Sequence, residues 1–233
     1  GDIELLTDAG ERAGRDSLAR LDQMRALFSD QAARPGASLK LRIFLFASDR
    51  EFRGYVEGAR TDGFFQSGPD RDYIILHAGA GLGRVVAHEY VHLLLNRGSG
   101  PLPSWFDEGM AEFLSTVVAR GDRVSLGGLI PEHLQTLDRE RWLPPAELFG
   151  ASAKSFDERS RVGIFYAQSW SLVHMLNISP SYAEGTPRFA ELLERGVPSE
   201  AALQQAFGRT ATQVLDDLQR YRPAPVTVDG STA

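Results

Sequence analysis

The segment Ala87-His88-Glu89-Tyr90-Val91-His92-Leu93 constrains this chain more than any other. Two histidines four residues apart share one face of a helix, because four residues turn it by about 400°. Val85, Val86, Val91, Leu94 and Leu95 surround them, so the helix is one that packs into a core. Two imidazoles on one face can converge on a single ion about 2.0–2.1 Å from each nitrogen. Glu89 is rotated from His88 by about 100°. It can flank such an ion without ligating it and accept a proton from a water there, as the general base of a hydrolysis does.

Three protein ligands and one open position define a catalytic zinc site, so a third ligand is required. The segment Ser104-Trp105-Phe106-Asp107-Glu108-Gly109-Met110-Ala111-Glu112-Phe113 supplies candidates. Ser104 with Asp107 reads as a capping signal that opens a helix. Glu108 and Glu112 share a face of that helix. The linker from His92 to Glu108 carries Gly98, Gly100, Pro101 and Pro103, which demand a tight turn. Two antiparallel helices so joined can return Glu108 to the histidines. Glu112, one turn on, is assigned the outer role of accepting the free N–H of a ligating histidine.

Hydrophobic periodicity sets the frame. Strands are expected at 3–7, 39–47, 63–65 and 73–77, and helices at 8–31 and from 49 to about 58. Ser67-Gly68-Pro69-Asp70 reads as the turn of a hairpin. Beyond Gly81 the pattern predicts helices at about 83–96, 104–119, 160–177, 187–195, 199–207 and 210–221. Residues 121–157, with Pro131, Pro144 and Pro145, read as irregular, and the tail from Arg222 reads as a linker or disordered end. Strands first and helices after is the α+β pattern. The expected organisation is a single domain over 1–221, with an upper part over about 1–97, a helical lower part over about 98–221, and the tail 222–233.

Composition removes several function classes. The 233 residues are 42% hydrophobic and 24% charged, which is ordinary for a globular protein. A formal charge of −6, with basic residues scattered, argues against nucleic acid as the main partner. No apolar run approaches the roughly 18 residues a membrane span needs. The chain has no cysteine, so thiolate zinc sites and cysteine nucleophiles are excluded. It opens at Gly1-Asp2 without an initiator methionine or a signal-type stretch, which predicts a trimmed or mature form.

With both motifs in view, the chain resembles the gluzincin metallopeptidases. It is most similar to the bacterial peptidase MA-like domains, whose second motif reads Pro-x-Trp-x-x-Glu-Gly-x-Ala-Glu and is matched here by Pro103 to Glu112. The similarity runs from about residue 40 to 178, and more loosely to 221. The resemblance implies a thermolysin-like two-lobe fold with a mixed sheet above and helices below. It implies zinc held by His88, His92 and Glu108, with Glu89 as the base. It also implies a peptide or protein substrate and an exported setting. The linker between the motifs is shorter than in thermolysin-like and aminopeptidase relatives.

Such enzymes also present a proton donor to the developing oxyanion. Tyr166 and His174 are the two candidates, eight residues apart on one predicted helix. In the gluzincin aminopeptidases a tyrosine on a helix beyond the glutamate ligand has this role, which favours Tyr166. His77 reads as structural, His133 as exposed, and Asp107 as a helix cap. The strand at 73–77 is expected to be the sheet edge beside the site; in gluzincins an extended substrate pairs with such an edge. The absence of a motif for capturing a free terminus leans toward endopeptidase action. The competing reading is a peptidase-like binding or scaffold domain without activity.

Overall fold

The computed structural model describes residues 3–28, 40–56, 61–98, 100–151, 156 and 159–229. It is a mixed α and β structure whose chain divides into two compact units, Gly1–Gly98 and Ser99–Ala233.

In the first unit, β1 (Ile3–Thr7) leads into α1 (Glu11–Leu27), then β2 (Leu41–Phe46) and the short α2 (Asp49–Arg53). The hairpin β3 (Gly63–Gln66) and β4 (Asp72–His77) follows, and α3 (Leu82–Gly98) closes the unit. The sheet order is β1-β2-β4-β3, with β3 antiparallel to its neighbour and the other pairs parallel. Leu41, Ile43, Leu45, Ile74 and Leu76 are buried, alongside Leu21 and Met24 of α1 and Val86, Tyr90 and Leu93 of α3. Helix α3 packs on α1, β3 and β4. Ser48 caps α2 through Glu51, as its spacing predicts.

The strand at 73–77 is not an edge. β4 lies between β2 and β3, and the outer strands are β1 and β3. Its run Ile74-Ile75-Leu76 is buried throughout, the mark of a strand covered on both faces. The expected helix at 8–31 starts at Glu11, after Gly10, and its last three positions lie outside the described residues, as do positions 57 and 58 of the second expected helix.

The second unit starts with α4 (Ser104–Ser115), followed by β5 (Val118–Arg120), β6 (Arg123–Leu126), α5 (Pro131–Arg139) and α6 (Pro145–Gly150). Then come α7 (Arg159–Ile178), α8 (Thr186–Glu194), α9 (Ser199–Phe207), α10 (Ala211–Arg220) and β7 (Val226–Asp229). Helix α7 is central, with α4 and α5 against it. Its run Ala167 to Leu176 is buried without a break. Gln168, in that run, is satisfied by the backbone: its Oε1 accepts from Leu143 N at 2.7 Å and its Nε2 donates to Leu143 O at 3.0 Å.

Three expectations fail here for local reasons. Helix α4 stops at Ser115 rather than 119, because the Ser115 and Thr116 hydroxyls donate to the carbonyls of Glu112 and Phe113, both at 2.7 Å, and Val117-Val118 turns to strand. The expected irregular stretch 121–157 holds regular elements up to residue 150, and residues 152–155 and 157 lie outside the described residues: Pro131 and Pro145 sit at the first helical positions of α5 and α6, where a missing N–H costs nothing. The tail is not a free end throughout, since β7 pairs antiparallel with β6, Val226 opposite Leu126 and Val228 opposite Val124. Its order is β5-β6-β7.

Candidate metal centre

Helix α3 presents one side of the candidate site. His88 Nε2 and His92 Nε2 are 3.0 Å apart, with the rings edge to face at 4.7 Å between centroids. Two ligands on a tetrahedral ion with bonds of about 2.0–2.1 Å lie about 3.3 Å apart, so this pair is close to ligating geometry already. Both imidazoles are half-buried, whereas Val86, Ala87, Tyr90, Val91 and Leu93 are buried. Glu89 is 4% exposed, a burial that a carboxylate tolerates when something holds it. Gly63 of β3 sits directly beneath it: a Cβ there would come within 2.7 Å of Val85 Cγ1 and 3.1 Å of Glu89 Cγ. Only glycine lets α3 lie this close to β3.

Helix α4 presents the carboxylates, and α7 meets them. Tyr166 donates its hydroxyl to Glu108 Oε1 at 3.3 Å. One turn further along both helices, Glu112 is 6% exposed, and its Oε2 lies 3.4 Å from His133 Nε2. The approach of α4 to α7 depends on Gly109. A Cβ there would lie 2.5 Å from the Ser169 carbonyl oxygen and 2.6 Å from Val173 Cγ2. The glycine between Glu108 and Glu112 is therefore a packing requirement that draws Tyr166 to Glu108.

His174 is a core residue. It is fully buried, with Nε2 3.0 Å from the Gly127 carbonyl and Nδ1 2.7 Å from the Tyr221 hydroxyl. A carbonyl can only accept, so Nε2 carries the proton and Nδ1 accepts from Tyr221. Burial pushes the imidazole below its ordinary value, against the opposing pull of the Gly127 carbonyl. Burial also pushes the Tyr221 phenol up to about 12, which keeps its proton in place. Both ring nitrogens are thus engaged within the fold.

Two further expectations are corrected. His133 is not exposed: it is the third residue of α5, its side chain 13% exposed, its ring 5.6 Å from that of Trp170. Asp107 does not cap α4. The N-cap is Pro103, whose carbonyl accepts from the backbone N–H groups of Phe106 and Asp107, and no side chain caps the helix. Ser104 falls inside the first turn, one position too late to cap. His77 sits near Asp62 at 4.0 Å and against the Phe52 ring, a structural setting. Sequence reasoning missed Gly63, Gly109, Tyr221 and the inward face of His133. The last had a signal, since Pro131 at a helix start places His133 in the first turn of an amphipathic segment.

Among the described residues, His88, His92 and Glu108 form a group that can hold a metal ion, each offering one ligand atom. Two imidazoles and a carboxylate suit a borderline cation with an open position. Among the described residues no helix is long and apolar enough to cross a membrane. No protein-family model matches the chain, and it matches none of the curated proteins.

Proposed function

We propose that this chain is a zinc-dependent metallopeptidase of the gluzincin type, built on a thermolysin-like two-lobe plan and similar to the peptidase MA-like domains. The observation that carries the reading is the group of His88, His92 and Glu108, with the buried Glu89 between the two histidines. His88 and His92 would hold zinc as neutral imidazoles and Glu108 through a carboxylate oxygen, leaving a position for water. Zinc, when bound, supplies Lewis acidity toward water and the scissile carbonyl.

The chain's own residues do the rest. Glu89 takes a proton from the water as its oxygen bonds to the peptide carbonyl carbon. It then delivers that proton to the amine nitrogen as the C–N bond breaks. Tyr166, held beside Glu108, donates its hydroxyl to the oxyanion. Glu112 accepts the free ring N–H of a ligating histidine and so fixes its tautomer. The substrate is an extended peptide. With β4 interior, the outer strand β3 is the one beside the helix bearing Glu89 for such a chain to pair with.

The test combines metal content with hydrolysis. Elemental analysis should find about one zinc per chain, and a panel of unstructured peptides should be cleaved internally. Glu89→Gln preserves volume but cannot take the proton. It should keep the zinc and lose activity by about 10²–10⁴-fold or more. A wild-type chain that takes up no zinc on titration would sink the reading. Zinc uptake without cleavage, in wild type as in Glu89→Gln, would leave a binding domain.

A further inference from the structure

The proposed chemistry uses Glu112 but not the side chain that faces it. Glu112 is 6% exposed, and a buried carboxylate is costly unless something holds it. In the second unit one neighbour of Glu112 is His133. Its Nε2 lies at ion-pair distance, 3.4 Å, from Glu112 Oε2, and that nitrogen is buried without a hydrogen bond. The ring rests on Trp170 at 5.6 Å, which leaves it little freedom to swing away. Trp170 follows Tyr166 by one turn of α7, as Glu112 follows Glu108 by one turn of α4. The Tyr166–Glu108 contact and the His133–Glu112 contact therefore lie one turn apart on α4, the first made from α7 and the second from α5.

The two contacts have different consequences. Tyr166 touches a proposed ligand directly. His133 touches a carboxylate whose proposed task is to orient a ligand. A carboxylate that rotates freely cannot fix a tautomer, and Glu112 has a rotatable side chain of its own. His133 places Nε2 on the Oε2 side of Glu112 at ion-pair distance, and a ring nitrogen fixed there favours one carboxylate orientation over the others. Helix α5 starts at Pro131, whose ring sets the backbone two residues before His133 and so fixes where the imidazole emerges.

We propose that His133 is a positioning residue of the metal centre, acting through Glu112 and not on substrate. The proposal rests on the metal reading above. Its test uses the full chain and zinc alone. Zinc affinity is measured by competition with a chromophoric chelator, and the cobalt-substituted protein is examined by visible spectroscopy. His133→Phe keeps a ring against Trp170 but removes Nε2. It should weaken zinc binding by about 3–30-fold, below the ~10–100-fold that losing a ligand's own partner costs, and shift the cobalt bands. His133→Gln places an amide N–H near the Nε2 position and should restore both; His133→Asn, too short to reach, should not. In a Glu112→Gln background, His133→Phe should change nothing further.

Wild-type affinity and spectrum in His133→Phe would overturn the proposal. So would equal behaviour of the Gln and Asn variants, or additive losses in the Glu112→Gln background. The Gln and Asn comparison decides the matter by itself if the Phe variant does not fold. A wild-type chain without zinc overturns the metal reading and this one with it, whereas a zinc-binding wild type with indifferent variants overturns this one alone.

Discussion

The paired histidines of α3 and the buried histidine of α7 are the same side chain in opposite circumstances. His88 and His92 turn their Nε2 atoms toward one another at 3.0 Å, on a half-buried helix face. His174 is fully buried, and both of its nitrogens are engaged by Tyr221 and the Gly127 carbonyl. Burial does not make a histidine a ligand. What matters is where the fold brings the ring nitrogens. In the first case two Nε2 atoms meet in a group that can hold a metal ion; in the second the ring is a tie between α7, the loop before α5 and the end of α10.

The largest effect that could break this contrast is expected from His88→Ala. It should abolish stoichiometric zinc while the circular dichroism spectrum stays that of wild type, and Glu108→Ala should do the same. Retained zinc in either variant would mean that the ligand set is wrong. His174→Phe should do the reverse. It strands the Gly127 carbonyl and the Tyr221 hydroxyl in the core, at a cost of about 2–4 kcal/mol. The folded protein should still take up zinc. Loss of zinc with unchanged denaturation midpoint would place His174 at the centre after all.

Smaller effects sharpen the comparison. Glu112→Ala should weaken zinc binding by roughly 10–100-fold without abolishing it. Unchanged affinity and turnover would reduce Glu112 to a structural carboxylate. Tyr221→Phe removes one partner of His174 and should cost about 1–2 kcal/mol in chemical denaturation, with zinc affinity untouched. An effect on affinity would link the two histidine environments.

The smallest effect is in pH. His174 has a folded value depressed by burial, so between that value and the unfolded value of about 6.5 the unfolded chain binds more protons. Its contribution is fully present above about pH 6.5 and is lost as pH falls below it, with a slope of at most about 1.4 kcal/mol per pH unit. Denaturation at pH 7.5 and 5.5 should show a larger acid loss in wild type than in His174→Phe. Equal losses would mean that the ring is not held neutral by the fold.

Local pattern carried a large part of this protein. The four-residue spacing of His88 and His92 puts them on one face whatever surrounds the helix, and the apolar frame announces that the helix is packed. The strands of the first unit, the hairpin turn, the long helices and the companion motif around Glu108 are likewise legible from neighbours a few residues away. Prolines misled where position mattered more than presence: Pro131 and Pro145 start helices that they would break from within.

Other features needed partners far along the chain. Strand β4 reads as a strand locally, but whether it is an edge depends on what pairs on either side of it. The pairing of β7 with β6 joins segments about a hundred residues apart, and no short-range pattern encodes such a match. The sequence reads His133 as exposed and His174 as a candidate proton donor. Only tertiary packing decided that one faces a buried carboxylate and the other a tyrosine and a carbonyl, because a side chain's environment is supplied by residues that its own neighbours in the chain do not specify.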